Sequence, residues 1–237
     1  MLPVVVLAGG LGRRVQAATR DVVPKVLVNT CGRPFLDFKL LSLQRSGARE
    51  VVLLLGRHGD QVESHVGDGS RFGLKVDCRH DGPQLLGTGG SVAAALCGLP
   101  ERFWVTYGDT LLDFDVAAAE SRFSDASSFD GLMTVLHNEN RWGRSNVRVG
   151  DGFVISYGEP ADDCEFIDYG MIALRAGAFA GLPKDEPFDL GVVFRRMTER
   201  RRLGAFEVAQ RFHEIGTFEV MQETESYLRL HPESFGL

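Results

Sequence analysis

Val4-Val5-Val6-Leu7-Ala8-Gly9-Gly10-Leu11-Gly12-Arg13-Arg14 stands almost at the start of the chain. Its first half is a short apolar, β-branched run of the kind that forms a buried strand. Its second half is a glycine-rich turn that ends on two arginines. Three glycines let the backbone come close to an anion and aim N–H groups at it. Arg14 adds a planar fork able to bond two phosphate oxygens at once. Pro24-Lys25, eleven residues further on, presents another cation on a stiff turn. Strand, glycine loop, arginine and Pro-Lys together read as a polyphosphate cradle rather than a structural turn. Two commoner loops fail on spacing. A dinucleotide fingerprint starting at Gly10 needs a small residue where Val15 stands. A P-loop needs Gly-Lys-Ser/Thr, and Gly12 is followed by Arg13-Arg14.

Outward from this loop, strand-like and helix-like stretches alternate. Pro34 to Ser46 carries Leu36, Leu40 and Leu43 at helical spacing, with Pro34 suited to the first helical position and Gly47 to the C-terminal cap. Glu50 to Gly56 is a continuous apolar strand, and His58 to Val66 a helix stopped by Gly67. Leu74 to Cys78 reads as a strand, Ser91 to Cys97 as a small-residue helix, and Arg102 to Tyr107 as a strand that breaks at Gly108-Asp109. This order predicts an α/β protein, a Rossmann-like three-layer α/β/α arrangement whose sheet is mixed and mostly parallel. The later stretches 131–137, 145–149, 152–157 and 166–174 read as strands with few helices between them, and 188–202 and 217–230 as closing helices. We expect one domain over residues 1–237, with a core at 1–125 and a second, closing part at 126–237.

Composition narrows the function classes. Across 237 residues, 44% hydrophobic and 24% charged content is ordinary for a globular chain and excludes intrinsic disorder. A net charge of −6 disfavours a broad nucleic-acid or anionic-membrane surface. The longest apolar runs are too short to span a bilayer, and Met1-Leu2-Pro3 does not read as a signal peptide. Four dispersed cysteines, Cys31, Cys78, Cys97 and Cys164, form no zinc or disulfide pattern, so reduced cysteines in a cytoplasmic protein are expected.

Further along, Gly108-Asp109 ends a strand, where α/β sheets place ligands, and a carboxylate there can hold a hard divalent cation. Leu86-Gly87-Thr88-Gly89-Gly90 lets a flat ring lie against the backbone, with Thr88 and Gln84 able to hydrogen-bond it. Asp168 and Asn146 can bond hydroxyls, and Gly170 permits close approach. The run from Arg195 to Arg202 reads as a solvated helix face, and His58, His65 and His80 as surface or structural residues. No Ser/His/Asp or Cys/His arrangement offers a covalent nucleophile.

Leu-Ala-Gly-Gly-x-Gly-x-Arg followed by Pro-Lys resembles the signature of the sugar-1-phosphate nucleotidyltransferases, nearest in flavour to mannose- and heptose-1-phosphate guanylyltransferases. The resemblance runs on through Gly32-Arg33-Pro34-Phe35, 86–90, Tyr107-Gly108-Asp109, Ile167-Asp168-Tyr169-Gly170 and Glu214-Ile215-Gly216-Thr217. It implies a GT-A-like fold and Mg²⁺-dependent transfer of a nucleoside monophosphate from an NTP to a sugar 1-phosphate. It makes Arg14, Lys25 and Asp109 the catalytic residues. Leu7, Ala8, Gly9, Gly10, Gly12, Arg13, Gln84, Gly87 and Thr88 become nucleotide contacts. Gly108, Asn146, Asp168 and Gly170 become sugar contacts, and Asp109 with Glu214 the metal ligands. It allows a homo-oligomer and implies no nucleic-acid or membrane partner. Two departures stand out: Glu214 replaces the usual Asp, and Tyr157-Gly158-Glu159-Pro160 lacks the lysine of the usual Glu-Lys-Pro. They leave open a nucleotide- or NDP-sugar-sensing module that has lost turnover.

Overall fold

The computed structural model describes residues 1–10, 23–158 and 163–235. In chain order the main elements are β1 (Val4–Leu7), α1 (Phe35–Arg45), β2 (Glu50–Leu55), α2 (Gly59–Val66), β3 (Lys75–His80), α3 (Gly87–Ala95), β4 (Arg102–Tyr107), α4 (Val116–Asp125), β5 (Gly131–His137), β6 (Val147–Gly150), β7 (Phe153–Tyr157), β8 (Phe166–Arg175), α5 (Gly191–Glu199), β9 (Leu203–Val208) and α6 (Phe218–Leu230). The chain forms two compact units that interleave in sequence. An N-terminal unit comprises Val4–Leu85, Tyr107–Leu111 and Phe212–Leu237, and a central unit comprises Met1–Pro3, Leu86–Thr106 and Leu112–Arg211. Among the described residues no helix is long and apolar enough to cross a membrane.

The N-terminal unit is built on parallel strands. β1 pairs with β2 from Val4↔Val51 to Leu7↔Leu54, and β2 pairs with β3 in the same sense. β1 and β2 are buried along nearly their whole length, as a strand covered on both faces must be. α1 lays Leu36, Leu40 and Leu43 into the core, as the spacing predicts. It ends where Gly47, at φ +95°, turns the chain, so that the Ala48 N–H bonds the Leu43 carbonyl. Pro34 does not begin this helix. Its extended backbone pairs with Asn29, and Phe35 is the first helical residue. A second apolar cluster joins Phe35, Phe38, Leu111, Ile215, Leu228 and Phe235, which holds α6 in place.

The central unit carries a mixed sheet. β8 pairs antiparallel with β4 and β5, β7 antiparallel with β6 and β9, and β9 parallel with β5. Mostly parallel pairing therefore describes the N-terminal unit and not this one. The strand at 203–208 and the helix at 116–125 lie outside the stretches that the sequence pattern predicts, and both form. Asp115 caps α4 by accepting a hydrogen bond from the Ala118 N–H at 2.9 Å. α3 starts four residues before the predicted Ser91 because a distant loop caps it. The Gly89 and Gly90 N–H groups both bond the Phe188 carbonyl, at 2.9 and 3.2 Å. Phe114 meets Trp104, Tyr169 and Phe206 in the aromatic core of this unit.

Candidate active site

In the N-terminal unit the glycine loop leaves the end of β1. The Ala8 N–H bonds the Leu54 carbonyl, which carries the parallel ladder one residue past the strand. Gly9 then passes so close to Gly56 that a Cβ on Gly9 would lie 2.9 Å from the Gly56 nitrogen. Gly10 faces open space, with nothing within 4 Å of where its Cβ would be. Gly9 is therefore required by packing, while Gly10 leaves room at the loop's surface. Gly12, Arg13 and Arg14 lie outside the described residues, as does the Glu159-Pro160 pair. Gln84 is exposed.

Lys25 reaches Asp109 across 84 residues of chain, with its Nζ 2.5 Å from Oδ2. The side chains are largely sheltered, at 15% and 30% exposure, so the pair is less screened than a surface ion pair. Gly108 makes this approach possible. Its N–H bonds the Leu7 carbonyl, and a Cβ there would strike Val26 at 2.9 Å, beside Lys25. The structure thus gives Gly108 a packing role at Lys25.

A short antiparallel pairing sets Glu214 opposite Thr110, and the Ile215 N–H bonds the Asp109 carbonyl at 3.2 Å. The two carboxylate residues therefore stand on neighbouring backbones. The Glu214 carboxylate folds over Gly216, where a Cβ would sit 3.1 Å from Oε1. Oxygen donors of this kind suit Mg²⁺, and the ammonium on Asp109 shows that this carboxylate already draws a cation. The donor set fits the ion that the resemblance implies.

The structure adds Lys39, which the sequence reading missed. It is 1% exposed on the core face of α1. Burial pulls its ammonium down to about 7, with the nearby Asp109 carboxylate pulling the other way. The signal was present in the sequence: Lys39 is three residues after Leu36 and four before Leu43, a charge on the apolar stripe of an amphipathic helix.

The central unit gathers the remaining predicted residues. Gly170, at φ +94°, falls where the β8 register shifts, between Asp168 and Ile172. That irregularity turns the Asp168 side chain back, so that its Oδ1 accepts from the Gly170 N–H at 2.9 Å while Thr106 holds the Gly170 carbonyl. The Tyr157 hydroxyl reaches Asp168 Oδ2 at 3.4 Å. Burial raises the Asp168 carboxyl to about 6, against the opposing pull of its Gly170 and Tyr157 hydrogen bonds. Asn146 ties the cluster together. Its side-chain oxygen accepts from the Asp168 N–H, and its backbone carbonyl accepts from the Gly158 N–H.

Gly87 and Thr88 serve α3 and α5. Gly87 has φ +69°, and a Cβ there would meet the Phe188 carbonyl oxygen at 2.8 Å. Thr88 donates to Asp189 Oδ2 at 3.0 Å and accepts from the Leu190 N–H at 2.8 Å. His65 and His80 pair with Asp37 and Glu63.

Comparison with known proteins adds three likenesses. The chain is 36% identical over 124 residues to an N-acetylmuramate alpha-1-phosphate uridylyltransferase of Neisseria meningitidis serogroup B, a match covering 52% of each chain. The chain thus spans about half the length of that relative. It is 26% identical over 185 residues to a D-glycero-alpha-D-manno-heptose 1-phosphate guanylyltransferase of Campylobacter jejuni, covering 78% of this chain and 80% of the relative. A crystal structure described as a putative glucose-1-phosphate thymidylyltransferase from Bacillus anthracis shares the fold. Its TM-score is 0.84 at 16% identity, covering 97% of this chain and 96% of that one. The family model described as nucleotidyl transferase matches residues 3–144, more than half of the chain. The chain belongs to the nucleotidyl transferase family.

Proposed function

We propose that the chain transfers a nucleoside monophosphate from an NTP to a sugar 1-phosphate with Mg²⁺, giving an NDP-sugar and pyrophosphate, and that the reaction is a hexose- or heptose-1-phosphate guanylyl transfer. The observation that carries this reading is the sheltered Lys25–Asp109 pair beside Glu214 at the end of the glycine-loop unit. The relative matched over 80% of its length, named a heptose 1-phosphate guanylyltransferase, supports the choice of base and acceptor. Residues 1–237 act in this reading as one nucleotidyltransferase domain, with the nucleotide handled by 1–125 and the sugar by 126–237.

The acceptor's phosphate oxygen attacks the α-phosphorus in line, and the bond to the β-phosphate oxygen breaks to release pyrophosphate. The nucleophile is already an anion at neutral pH, so the reaction needs no general base. Catalysis rests on positioning and on charge neutralisation. Gly9 and Gly10 present backbone N–H groups to the triphosphate, and Arg14 binds the departing pyrophosphate. Lys25 leaves the Asp109 carboxylate for the α-phosphate or the incoming phosphate, which frees Asp109 to act with Glu214 as a metal ligand. Mg²⁺, when held there, supplies charge neutralisation across the phosphate oxygens. Asp168 and Asn146 accept hydrogen bonds from, or donate them to, the sugar hydroxyls.

Thermal unfolding with ATP, GTP, CTP, UTP and dTTP, each with and without Mg²⁺, tests the base. A ligand that binds only the fold adds about 2.7 kcal/mol at a hundred times Kd. The expected result is a GTP-specific, Mg²⁺-enhanced shift. UTP standing out instead would replace guanylyl by uridylyl transfer, and a flat panel would overturn the triphosphate site.

A further inference from the structure

We infer that the guanidinium of Arg195 is the anion anchor of the central unit and holds the phosphate of the acceptor sugar 1-phosphate. The inference deepens the functional reading above and rests on it.

The arginine-rich run is not one uniform surface. Arg196 is tied to the Ala180 carbonyl, Arg201 to Asp151, and Arg202 to Asp130 through two hydrogen bonds. Arg195 and Arg200 are both exposed and make no ion pair with another described residue. Arg200 stands at the C-terminal cap of α5, and Arg195 is the one whose guanidinium lies against Gly158 and Gly191. α5 buries Val193, Phe194 and Met197, which fixes the helix's rotation and sets Arg195 off the packed face. Two glycines keep the space at its tip clear. The Arg195 Nη1 lies 3.2 Å from where a Cβ on Gly191 would be, and 3.2 Å from where one on Gly158 would be. Side chains at either position would crowd the guanidinium.

Tyr157 connects this cation to the hydroxyl-binding wall. Its ring stands edge-on to Phe194 with centroids 5.1 Å apart, and its Cε1 lies 3.3 Å from the same Gly191 Cβ position. Its hydroxyl meets Asp168. One phenol side chain thus spans from the guanidinium to the carboxylate. A sugar 1-phosphate has the matching polarity: a dianion at one end for the bidentate fork and hydroxyls along the ring for Asp168 and Asn146. Among the described residues Asp189 is an acid close by, its Oδ1 2.8 Å from the same Gly191 Cβ position. Its Oδ1 accepts from the Gly191 N–H at 2.7 Å and its Oδ2 from Thr88. The run 157–160 brings no cation of its own, and Arg195 supplies one beside Gly158.

The test compares wild type with Arg195→Ala and Arg195→Lys in steady-state kinetics, with GTP and with mannose 1-phosphate or a heptose 1-phosphate as acceptor. Arg195→Ala raises KM for the acceptor at least tenfold and leaves KM for GTP within twofold, and Arg195→Lys recovers part of the loss. An unchanged acceptor KM, or an equal rise for GTP, overturns the assignment. Absence of pyrophosphate release by wild type refutes the functional reading instead. Calorimetric titration of mannose 1-phosphate and of mannose then still decides the Arg195 assignment. Wild type prefers the phosphorylated sugar and Arg195→Ala loses that preference; an equal preference in both overturns it.

Discussion

Asp168→Asn should make the protein more stable at neutral pH. The Asp168 carboxyl sits at about 6 in the fold against an ordinary 3.8, and burial is the main cause. Because the folded-state value lies above the unfolded one, the fold prefers the protonated acid. The associated stability is complete below about pH 3.8 and is lost as pH rises through about 6. A gap of about two pH units corresponds to about 3 kcal/mol as an upper bound, and partial hydration brings the expected figure to about 1–3 kcal/mol. Asn keeps an oxygen for the Gly170 N–H and offers Tyr157 a donor in place of an acceptor, so the hydrogen bonds survive the change. At 2–4 °C per kcal/mol for a chain of this size, the variant should melt on the order of 5 °C higher at pH 7.5. Thermal unfolding of both proteins at pH 7.5 and pH 4 measures this. The gain should shrink toward zero at pH 4, where wild-type Asp168 carries its proton. A variant no more stable than wild type at pH 7.5, or equally advantaged at both pH values, would refute the reasoning.

Lys39 gives a prediction of the opposite pH sense. Its ammonium titrates near 7 in the fold against an ordinary 10.5, so the unfolded chain binds the extra proton between those values and stability climbs with pH across that window. Urea unfolding should show wild type gaining about 1–3 kcal/mol between pH 7 and 9 relative to Lys39→Met, and parallel profiles would contradict the burial of the charge. Gly9→Ala drives a Cβ to 2.9 Å from the Gly56 nitrogen and should cost about 1–3 kcal/mol, whereas Gly10→Ala, facing open space, should melt close to wild type. Equal melting temperatures for the two variants would sink the packing account. Lys25→Ala should lose at least tenfold in kcat/KM, about 1.4 kcal/mol of transition-state stabilisation, and an undiminished rate would leave Lys25 as a structural partner of Asp109 alone.

How legible the molecule was in its sequence depended on how local each signal is. β1 and β2 announce themselves by apolar runs, β4 by Phe103-Trp104-Val105 ahead of the Gly-Asp break, and α1 by its leucine spacing and its glycine stop. Asp109 stands out in the sequence because a Gly-Asp break at a strand end is itself a local pattern. Lys25 meeting Asp109 was not, because no spacing rule joins residues 84 apart. Thr88 shows the same limit. Its partners, Asp189 and the Leu190 N–H, lie about a hundred residues away, so its hydroxyl's commitments to α5 could not be seen. β9 followed an arginine-rich helix and was masked by it; what makes it a strand is the parallel ladder offered by β5. Arg195 looked like its charged neighbours until the glycines at 158 and 191 set it apart.

Pyrophosphate release by the purified chain, with each nucleoside triphosphate paired with mannose 1-phosphate and a heptose 1-phosphate, tests the central claim most directly. The account predicts Mg²⁺-dependent release with GTP that requires the sugar phosphate and disappears in Asp109→Ala, while that variant still melts cooperatively. Release that survives in Asp109→Ala at near wild-type rate, or no release from any triphosphate and acceptor pair, would contradict it.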